Sequence, residues 1–367
     1  MEFSKYADVN PKCGKVPYSF YYIDLECVNA GEIKDLRIEM AETAPSRAQR
    51  LLTLYDILFQ TVRPYQKNNY HFKAENDLPT VASTGYAVFR TEQSSEYLYE
   101  LIHTERFLSD IMKRCTGTSF PAVSSSDIED IAIWIPEFQE QKKIGDFLTL
   151  VDTKIAKQRL LIETLKKYKR GLNIRLLSGI SMSYSKRLGD VCSIIGGGTP
   201  DTTTAKFWDG GINWFTPSEI GKTKYVVSSV RSISYDGMLK SSAKLLPQNT
   251  VLLTTRATLG EMSILHGEAT TNQGFQSLIP SNELLAEYVY YLQVIIKPWC
   301  EKYASGNTFR EISKSALSNC VIPVPDISIQ NKIVRVLSGI DQHIERENDI
   351  LDKLREQKKA LLQQLFI

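Results

Sequence analysis

Two similar stretches decide the fold: IPEFQEQKKIGDFLTLVDTKI at residues 135–155 and VPDISIQNKIVRVLSGIDQHI at residues 324–344. They belong to a longer match, in which residues 115–178 align with residues 304–367 over 64 positions without a gap, and 16 positions are identical. A match of this length indicates an internal duplication. Upstream the two copies match more loosely. We therefore predict two copies of one unit, each a variable globular part followed by a better-matched tail.

The tails are predicted to be long helices. Apolar residues recur at alternating intervals of four and three, which is the heptad pattern of a coiled coil. In the first tail they are Ile144, Leu148, Val151, Ile155, Ile162, Leu165, Leu172 and Leu176, and in the second Ile333, Leu337, Ile340, Ile344, Leu351, Leu354, Leu361 and Leu365. We expect the two helices to pair with each other. The alternative is that each helix packs only on its own domain.

Polar residues interrupt the apolar seam at the same two places in both tails, at Gln158 and Glu347 and at Lys169 and Lys358. Polar groups in a seam are costly unless they meet partners. The antiparallel alignment that we favour sets Lys169 opposite Glu347 and Gln158 opposite Lys358. A second alignment, displaced by one heptad, sets Lys169 against Ile340.

The globular parts have the patterns of mixed α and β structure. Strands are predicted within residues 244–265, 129–136 and 318–325, and buried helices within 95–115 and 285–304. The second copy opens with RLGDVCSIIGGGTP at 187–200, and the first half shows no equivalent leading strand, so its first domain is either completed elsewhere or simply shorter. The predicted class is α+β, with two mixed α/β domains separated by two long helices that form an antiparallel coiled coil with pseudo-twofold duplication. The predicted segments are 1–136, 137–180, 181–325 and 326–367.

Motifs for catalysis or metal binding are missing from the sequence. The six cysteines form no CxxC pair, which argues against a zinc site. The glycine-rich stretch GGGTP at 196–200 fits neither a P-loop nor a dinucleotide-binding motif. The chain is therefore predicted not to be an enzyme and to need no cofactor or metal. It has neither a signal-peptide core nor an apolar run long enough to span a bilayer, so the expected location is the cytoplasm, without membrane contact.

Several stretches resemble type I restriction specificity subunits. In both tails a proline-containing strand end leads into a Gln-x-x-Ile helix with a downstream Asp-x-x-Ile, as in the conserved regions of that family. GGTPDTTTAKFWDGGINWFTPSEI at 197–220 resembles the opening of a target recognition domain. Later blocks of the same domain are similar to ATTNQGFQSLIP at 269–280 and GNTFREIS at 306–313, and, in the first half, to LFQTVRPYQKN at 58–68 and VASTGYAVF at 81–89.

The resemblance implies that each globular domain recognises one half of a split, asymmetric target in double-stranded DNA. It also implies two methyltransferase subunits that dock on the helices and bring S-adenosylmethionine, and restriction subunits that add translocation and cleavage. The net charge of only +2 is low for a protein that holds DNA alone, and the methyltransferase subunits can supply much of the phosphate contact. The alternatives are a coiled-coil scaffold with no DNA role and a self-sufficient DNA-modifying enzyme.

Candidate DNA contacts are the polar and basic residues in the stretches that resemble target recognition domains, and in the loops next to them. In the first domain they are Arg63, Tyr65, Lys67, Asn68, Ser83 and Arg90, and in the second Lys222, Lys224, Tyr225, Arg256, Asn272, Gln273, Asn307 and Arg310. Arg63 and Arg256 recur near each other in the aligned copies, so a purely structural role for them is an equal alternative. Apolar residues outside the seam are candidate contacts to a methyltransferase, namely Phe147, Leu160, Leu161 and Val336.

Overall fold

A computed structural model describes residues 1–74, 76–306 and 310–366 of the chain. It consists of two compact units. Unit 1 comprises Met1–Arg159 and Asp349–Ile367, and unit 2 comprises Leu160–Asn348. Two long helices, Phe138–Ser178 and Ile327–Leu365, each contribute residues to both units. The units therefore differ from the four segments predicted from sequence, because each unit combines one globular part with portions of both helices.

Unit 1 contains two four-stranded sheets and a small hairpin. Its strands are β1 (Asp8–Val9), β2 (Ser19–Ile23), β3 (Val28–Asn29), β4 (Glu32–Ile33), β5 (Arg37–Met40), β6 (Ala48–Leu51), β7 (Ile57–Gln60), β8 (Tyr70–His71), β9 (Thr80–Ser83) and β10 (Tyr86–Arg90). The sheet orders are β1-β10-β7-β8 and β5-β2-β9-β6, and β3 pairs with β4. The helices are α1 (Ser95–Leu101), α2 (Glu105–Arg114), α3 (Ser125–Glu129) and the first part of α4 (Phe138–Ser178).

Unit 2 contains a five-stranded, a three-stranded and a two-stranded sheet. Its strands are β11 (Ser185–Arg187), β12 (Cys192–Gly196), β13 (Trp208–Phe215), β14 (Tyr225–Val226), β15 (Arg231–Ile233), β16 (Val251–Leu253), β17 (Met262–Leu265), β18 (Thr270–Thr271), β19 (Gln276–Pro280) and β20 (Val321–Pro323). The sheet orders are β12-β19-β16-β17-β14, β15-β13-β18 and β11-β20. The helices are α5 (Leu188–Val191), α6 (Tyr235–Leu239), α7 (Ala286–Tyr291), α8 (Gln293–Tyr303), α9 (Lys314–Ser318), the first part of α10 (Ile327–Leu365) and the last part of α4; the last part of α10 belongs to unit 1.

The first half does have a leading segment, and it is shorter than that of the second half, which was one of the two alternatives left open by the sequence. The Phe3 N–H donates to the Ile131 carbonyl at 2.8 Å, just as the Leu188 N–H donates to the Cys320 carbonyl at 2.8 Å. Strand β1 then pairs with β10 in the way that β12 pairs with β19. The segment escaped recognition because β1 has only two residues where β12 has five.

The predicted helices and strands are mostly present but shorter than expected. Residues 95–115 form two helices, because the Thr104 side chain accepts a hydrogen bond from the Phe107 N–H and so caps a new helix. Residues 285–304 likewise divide into α7 and α8 at Leu292. Residues 318–325 contain β20, whereas residues 129–136 make only an isolated bridge between Glu2 and Ala132.

The heptad seam is confirmed by burial and by ion pairs. Every seam residue named above is buried or half-buried. In unit 1, Ile144 and Leu148 share an apolar cluster with Leu361 and Leu365, so the chain direction of α4 runs against that of α10. The two helices therefore form an antiparallel pair, and the alternative in which each packs only on its own domain was wrong.

The alignment that we favoured for the helices was also wrong. The Lys358 ammonium lies 2.6 Å from the Asp152 carboxylate in unit 1, and Lys169 forms an ion pair with Asp341 in unit 2. These contacts match the second alignment, displaced by one heptad, in which Lys169 lies near Ile340. Each seam lysine pairs with an aspartate that flanks the seam, a possibility that we had not considered.

Candidate nucleic-acid interface

In unit 2, three loops that carry predicted DNA contacts lie side by side at one edge. The Gly198 N–H donates to the Thr271 carbonyl at 2.8 Å, and the Thr255 N–H donates to the Gly274 carbonyl at 2.9 Å. These bonds bring together the turns at 197–200, 255–260 and 272–274. The Thr199 hydroxyl also donates to the side chain of Gln273.

Several side chains on this edge have hydrogen-bonding groups without a partner among the described residues. Gln273 is exposed, and its amide NH₂ makes no hydrogen bond to a described residue. Arg256 is half-buried, and its guanidinium makes no hydrogen bond or ion pair within the described part of the chain. Asn272 uses its side-chain oxygen to accept from the Gly274 N–H at 2.8 Å, and its NH₂ makes no hydrogen bond to any residue that the structure describes. These three residues can present donors to base edges or phosphates.

Two other predicted residues of this region are exposed or undescribed. Arg310 is exposed, and its guanidinium donates to the Glu301 carbonyl. Asn307 lies outside the described residues.

The loop at 222–225, which we had expected to recognise this protein's own target, is largely engaged inside unit 2. The Lys224 ammonium donates to the Tyr291 hydroxyl at 3.1 Å and to the Ser338 hydroxyl at 2.9 Å, and burial lowers the pKa of Lys224. The Tyr225 hydroxyl donates to Glu287 at 3.2 Å. Lys222 is exposed, and its side chain makes no such contact with a described residue. These contacts brace the loop against α7 and α10, so a structural role accounts for Lys224 and Tyr225.

In unit 1, Arg63 and Tyr65 lie at the end of β7. The guanidinium carbon of Arg63 lies 4.3 Å from the centre of the Phe120 ring, and the Arg63 N–H donates to the Pro121 carbonyl at 2.7 Å. Tyr65 is half-exposed. Sequence reasoning missed Phe120 and Thr199. Phe120 could have been found, because Phe309 occupies the same position in the second copy.

The remaining predicted residues of unit 1 are held by neighbours. Lys67 donates to the His103 carbonyl at 3.3 Å and pairs with Glu105, and the Asn68 side-chain oxygen accepts from the Ala30 N–H at 3.2 Å. Ser83 is buried and accepts from the Gly85 N–H at 3.2 Å. Arg90 makes two 2.8 Å hydrogen bonds to the buried Asp56 carboxylate. Arg90 and Ser83 therefore have structural roles that would explain their presence without DNA.

The four predicted partner-binding residues, Phe147, Leu160, Leu161 and Val336, are all exposed. Phe147 and Val336 occupy equivalent positions in the two copies, and so do Leu161 and the exposed Ile350. Their recurrence at equivalent positions is compatible with a binding surface for another protein, which stays a prediction. None of the described helices has the length and apolar character needed to cross a bilayer.

Comparison with known proteins agrees with this organisation. A family model described as type I restriction modification DNA specificity domain matches residues 55–167 and 183–356. The chain is 35% identical over 176 residues to the type I restriction enzyme MjaIX specificity subunit of Methanocaldococcus jannaschii, a match that covers 46% of this chain and 41% of that protein. The chain spans less than half the length of the curated relatives that it matches first.

Two solved structures share the fold. One is a structure that concerns the complex assembly and conformational transition of the type I R-M system. It matches with a TM-score of 0.63 and 24% identity, over 95% of this chain and 91% of that one. The other is a type I restriction-modification S subunit from M. genitalium, with a TM-score of 0.55 and 16% identity, over 100% of this chain and 95% of that one. Because the family model covers more than half of the sequence in two successive copies, the chain belongs to the family of type I restriction modification DNA specificity domains.

Proposed function

We propose that this chain is the non-catalytic specificity subunit of a type I restriction–modification system. Each of its two units binds one half of a bipartite, asymmetric DNA target. Two methyltransferase subunits dock on the exposed apolar residues of α4 and α10, and restriction subunits join this assembly. The observation that carries the proposal is the duplication itself, since two divergent copies of one domain suit the recognition of two different half-sites.

The three adjacent loops at the edge of unit 2 support this assignment. In unit 2, Arg256, Asn272 and Gln273 present donor groups without described partners. Arginine, asparagine and glutamine are the side chains that most often read guanine and adenine in the major groove. A coiled-coil scaffold without a DNA role would have no use for such an edge. A self-sufficient enzyme would need catalytic motifs, which we did not find in the sequence.

The test is to express the chain with a type I methyltransferase subunit from the same organism in a host that lacks adenine methylation. We expect the two proteins to co-purify, and sequencing that detects methylated adenine should reveal one bipartite motif. The control strain expresses the methyltransferase alone and should show no such motif. Methylation that is unchanged when this chain is omitted would refute the proposal.

A further inference from the structure

Both units close a short segment with an equivalent backbone bridge. In unit 1, Thr116 and Ala122 exchange two 2.9 Å backbone hydrogen bonds, which close the loop at residues 117–121. In unit 2, Ser305 and Glu311 exchange bonds of 3.0 and 2.9 Å around residues 306–310. The pairs are 189 residues apart, as in the sequence alignment. We call these the tip loops.

Glycine opens each tip loop for a physical reason. Gly117 and Gly306 have φ values of +89° and +117°, a region that other residues adopt only at a cost. A Cβ atom on Gly117 would also lie 3.1 Å from the Phe120 carbonyl oxygen. In both copies a phenylalanine follows three residues after the glycine, as Phe120 and Phe309. Phe309 itself lies outside the described residues.

The tip loop of unit 1 is anchored to the end of β7. The Val123 N–H donates to the Thr61 carbonyl at 3.1 Å, and Arg63 is bonded to Pro121 as described above. In unit 2 the Ile312 N–H donates to the Thr255 carbonyl at 3.2 Å in the same way. Arg63 and Ala257, each two residues further along, have left-handed φ values of +54° and +59°. The anchoring therefore holds the tip loop of unit 1 in a defined position, and the described residues at the base of the unit 2 loop make the equivalent backbone contacts.

Phe120 is 62% exposed on this anchored loop, with the Arg63 guanidinium stacked against its ring. A single exposed apolar residue needs no explanation. Here, however, the same residue recurs in the sequences of two copies that are identical at only 16 of 64 positions, and the described residues that flank it make the same backbone hydrogen bonds in both. The recurrence indicates that the exposed ring has a role in binding.

We propose that Phe120 is a stacking contact to DNA, with its ring against a base at an opened base step and the Arg63 cation near the backbone. This inference rests on the proposed function. The two units would read different half-sites, so a residue shared by both copies is unsuited to reading a particular base. Stacking on an aromatic ring is sequence-tolerant, because every base has a π-face. Phenylalanine is also among the apolar residues that proteins insert between base steps.

The experiment measures the affinity of the complex with its methyltransferase for a duplex that carries the methylated motif. We expect Phe120→Ala to weaken binding about tenfold, within the range for loss of one base–aromatic stack. Phe120→Trp should retain binding within about twofold, because indole also stacks on bases. The motif itself should not change. The matched control is Tyr55→Ala, which removes another exposed aromatic ring at the opposite end of β7.

Three results would overturn the inference while the proposed function stands. The first is wild-type affinity for Phe120→Ala. The second is loss of methyltransferase co-elution in this variant, which would make the ring a protein contact. The third is a changed motif, which would make it a base-specific contact. If the wild-type complex methylates no specific motif, the proposed function fails, and this inference fails with it.

Discussion

At the residue scale, the most unusual group is the Glu100 carboxyl. It is 1% exposed and lies 2.9 Å from the Lys358 ammonium, which also binds Asp152. Burial raises the pKa of Glu100 to about 7, although Lys358 acts in the opposite direction. In unit 2 a Tyr291 hydroxyl stands in the equivalent place and donates to Asp341 at 2.6 Å. At this position unit 1 therefore buries a carboxyl group where unit 2 has a tyrosine hydroxyl.

This difference predicts a pH-dependent effect of Glu100→Gln. The pKa in the unfolded chain is about 4.3, so the stability linked to the protonated carboxyl is complete below that pH and is lost as the pH rises through 7. Glutamine keeps the neutral form at every pH. We expect Glu100→Gln to gain free energy of unfolding relative to the wild type between pH 5 and pH 8, by up to about 3 kcal/mol.

Urea unfolding of both proteins at the two pH values measures this gain. Glu105→Gln is the matched control, since Glu105 is an exposed carboxylate in the same unit and should give the same difference at both pH values. A Glu100→Gln variant that is destabilised equally at pH 5 and pH 8 would show that Glu100 is a charged partner of Lys358 throughout this range.

Residue roles were the part of the site that sequence could predict least. Arg90 and Gln273 are both polar residues in or next to the stretches that resemble target recognition domains. Arg90 is nevertheless held by the buried Asp56 carboxylate, whereas Gln273 is exposed. The partner of Arg90 is Asp56, 34 residues away, and nothing in the local sequence indicates that pairing. Similarly, the contact of Lys224 with Ser338 spans 114 residues.

At the element scale, the heptad pattern predicted the paired helices but not their alignment. We matched polar seam residues with one another across the pair. The structure instead pairs Lys169 with Asp341 and Lys358 with Asp152. The long lysine side chain leaves the seam and reaches a flanking carboxylate, so its methylene groups can stay in the apolar layer. Sequence periodicity indicates which residues face the seam, but it does not fix such diagonal contacts.

The alignment is tested by a disulfide within unit 2. The Lys169–Asp341 ion pair implies that Leu165 and Ile344 occupy one seam layer. We expect a protein with Leu165→Cys and Ile344→Cys, and no other reactive cysteine, to form an intramolecular disulfide under mild oxidation, because bonding requires Cα atoms within about 7 Å. Gel mobility with and without reductant measures it. The pair Leu165→Cys and Leu337→Cys, one heptad away, is the control, and preferential oxidation of that pair would contradict the alignment.

At the scale of the whole molecule, the duplication was predictable because the two copies keep a 64-residue ungapped match. The same comparison failed at the first 10 residues, where a three-residue helical turn at Phe3–Lys5 and a two-residue strand replace α5 and β12. Backbone hydrogen bonds preserve that arrangement without sequence similarity. The compact units were not predictable from the sequence segments either, since both long helices are divided between them.

Because each unit has its own core and its own loops, we expect their DNA contacts to act independently. Tyr65→Ala removes an exposed side chain near the end of β7 in unit 1. Gln273→Ala removes an exposed side chain at the edge formed by three loops in unit 2. Each should weaken binding to the methylated motif by about 1–3 kcal/mol if it removes a base contact, and relax positions in one half-site only. The double variant should show the sum of the two losses within about 0.5 kcal/mol, since sites without shared partners are additive.

Competition binding with duplexes altered in one half-site at a time measures both effects. Lys302→Ala is the control, as an exposed cation in α8 outside the three loops at the unit 2 edge. If Gln273→Ala relaxed bases in both half-sites, or if the double variant lost much more or less than the sum, the units would not recognise their half-sites separately. The duplication would then serve a single composite recognition surface, and the assignment of one half-site to each unit would have to be abandoned.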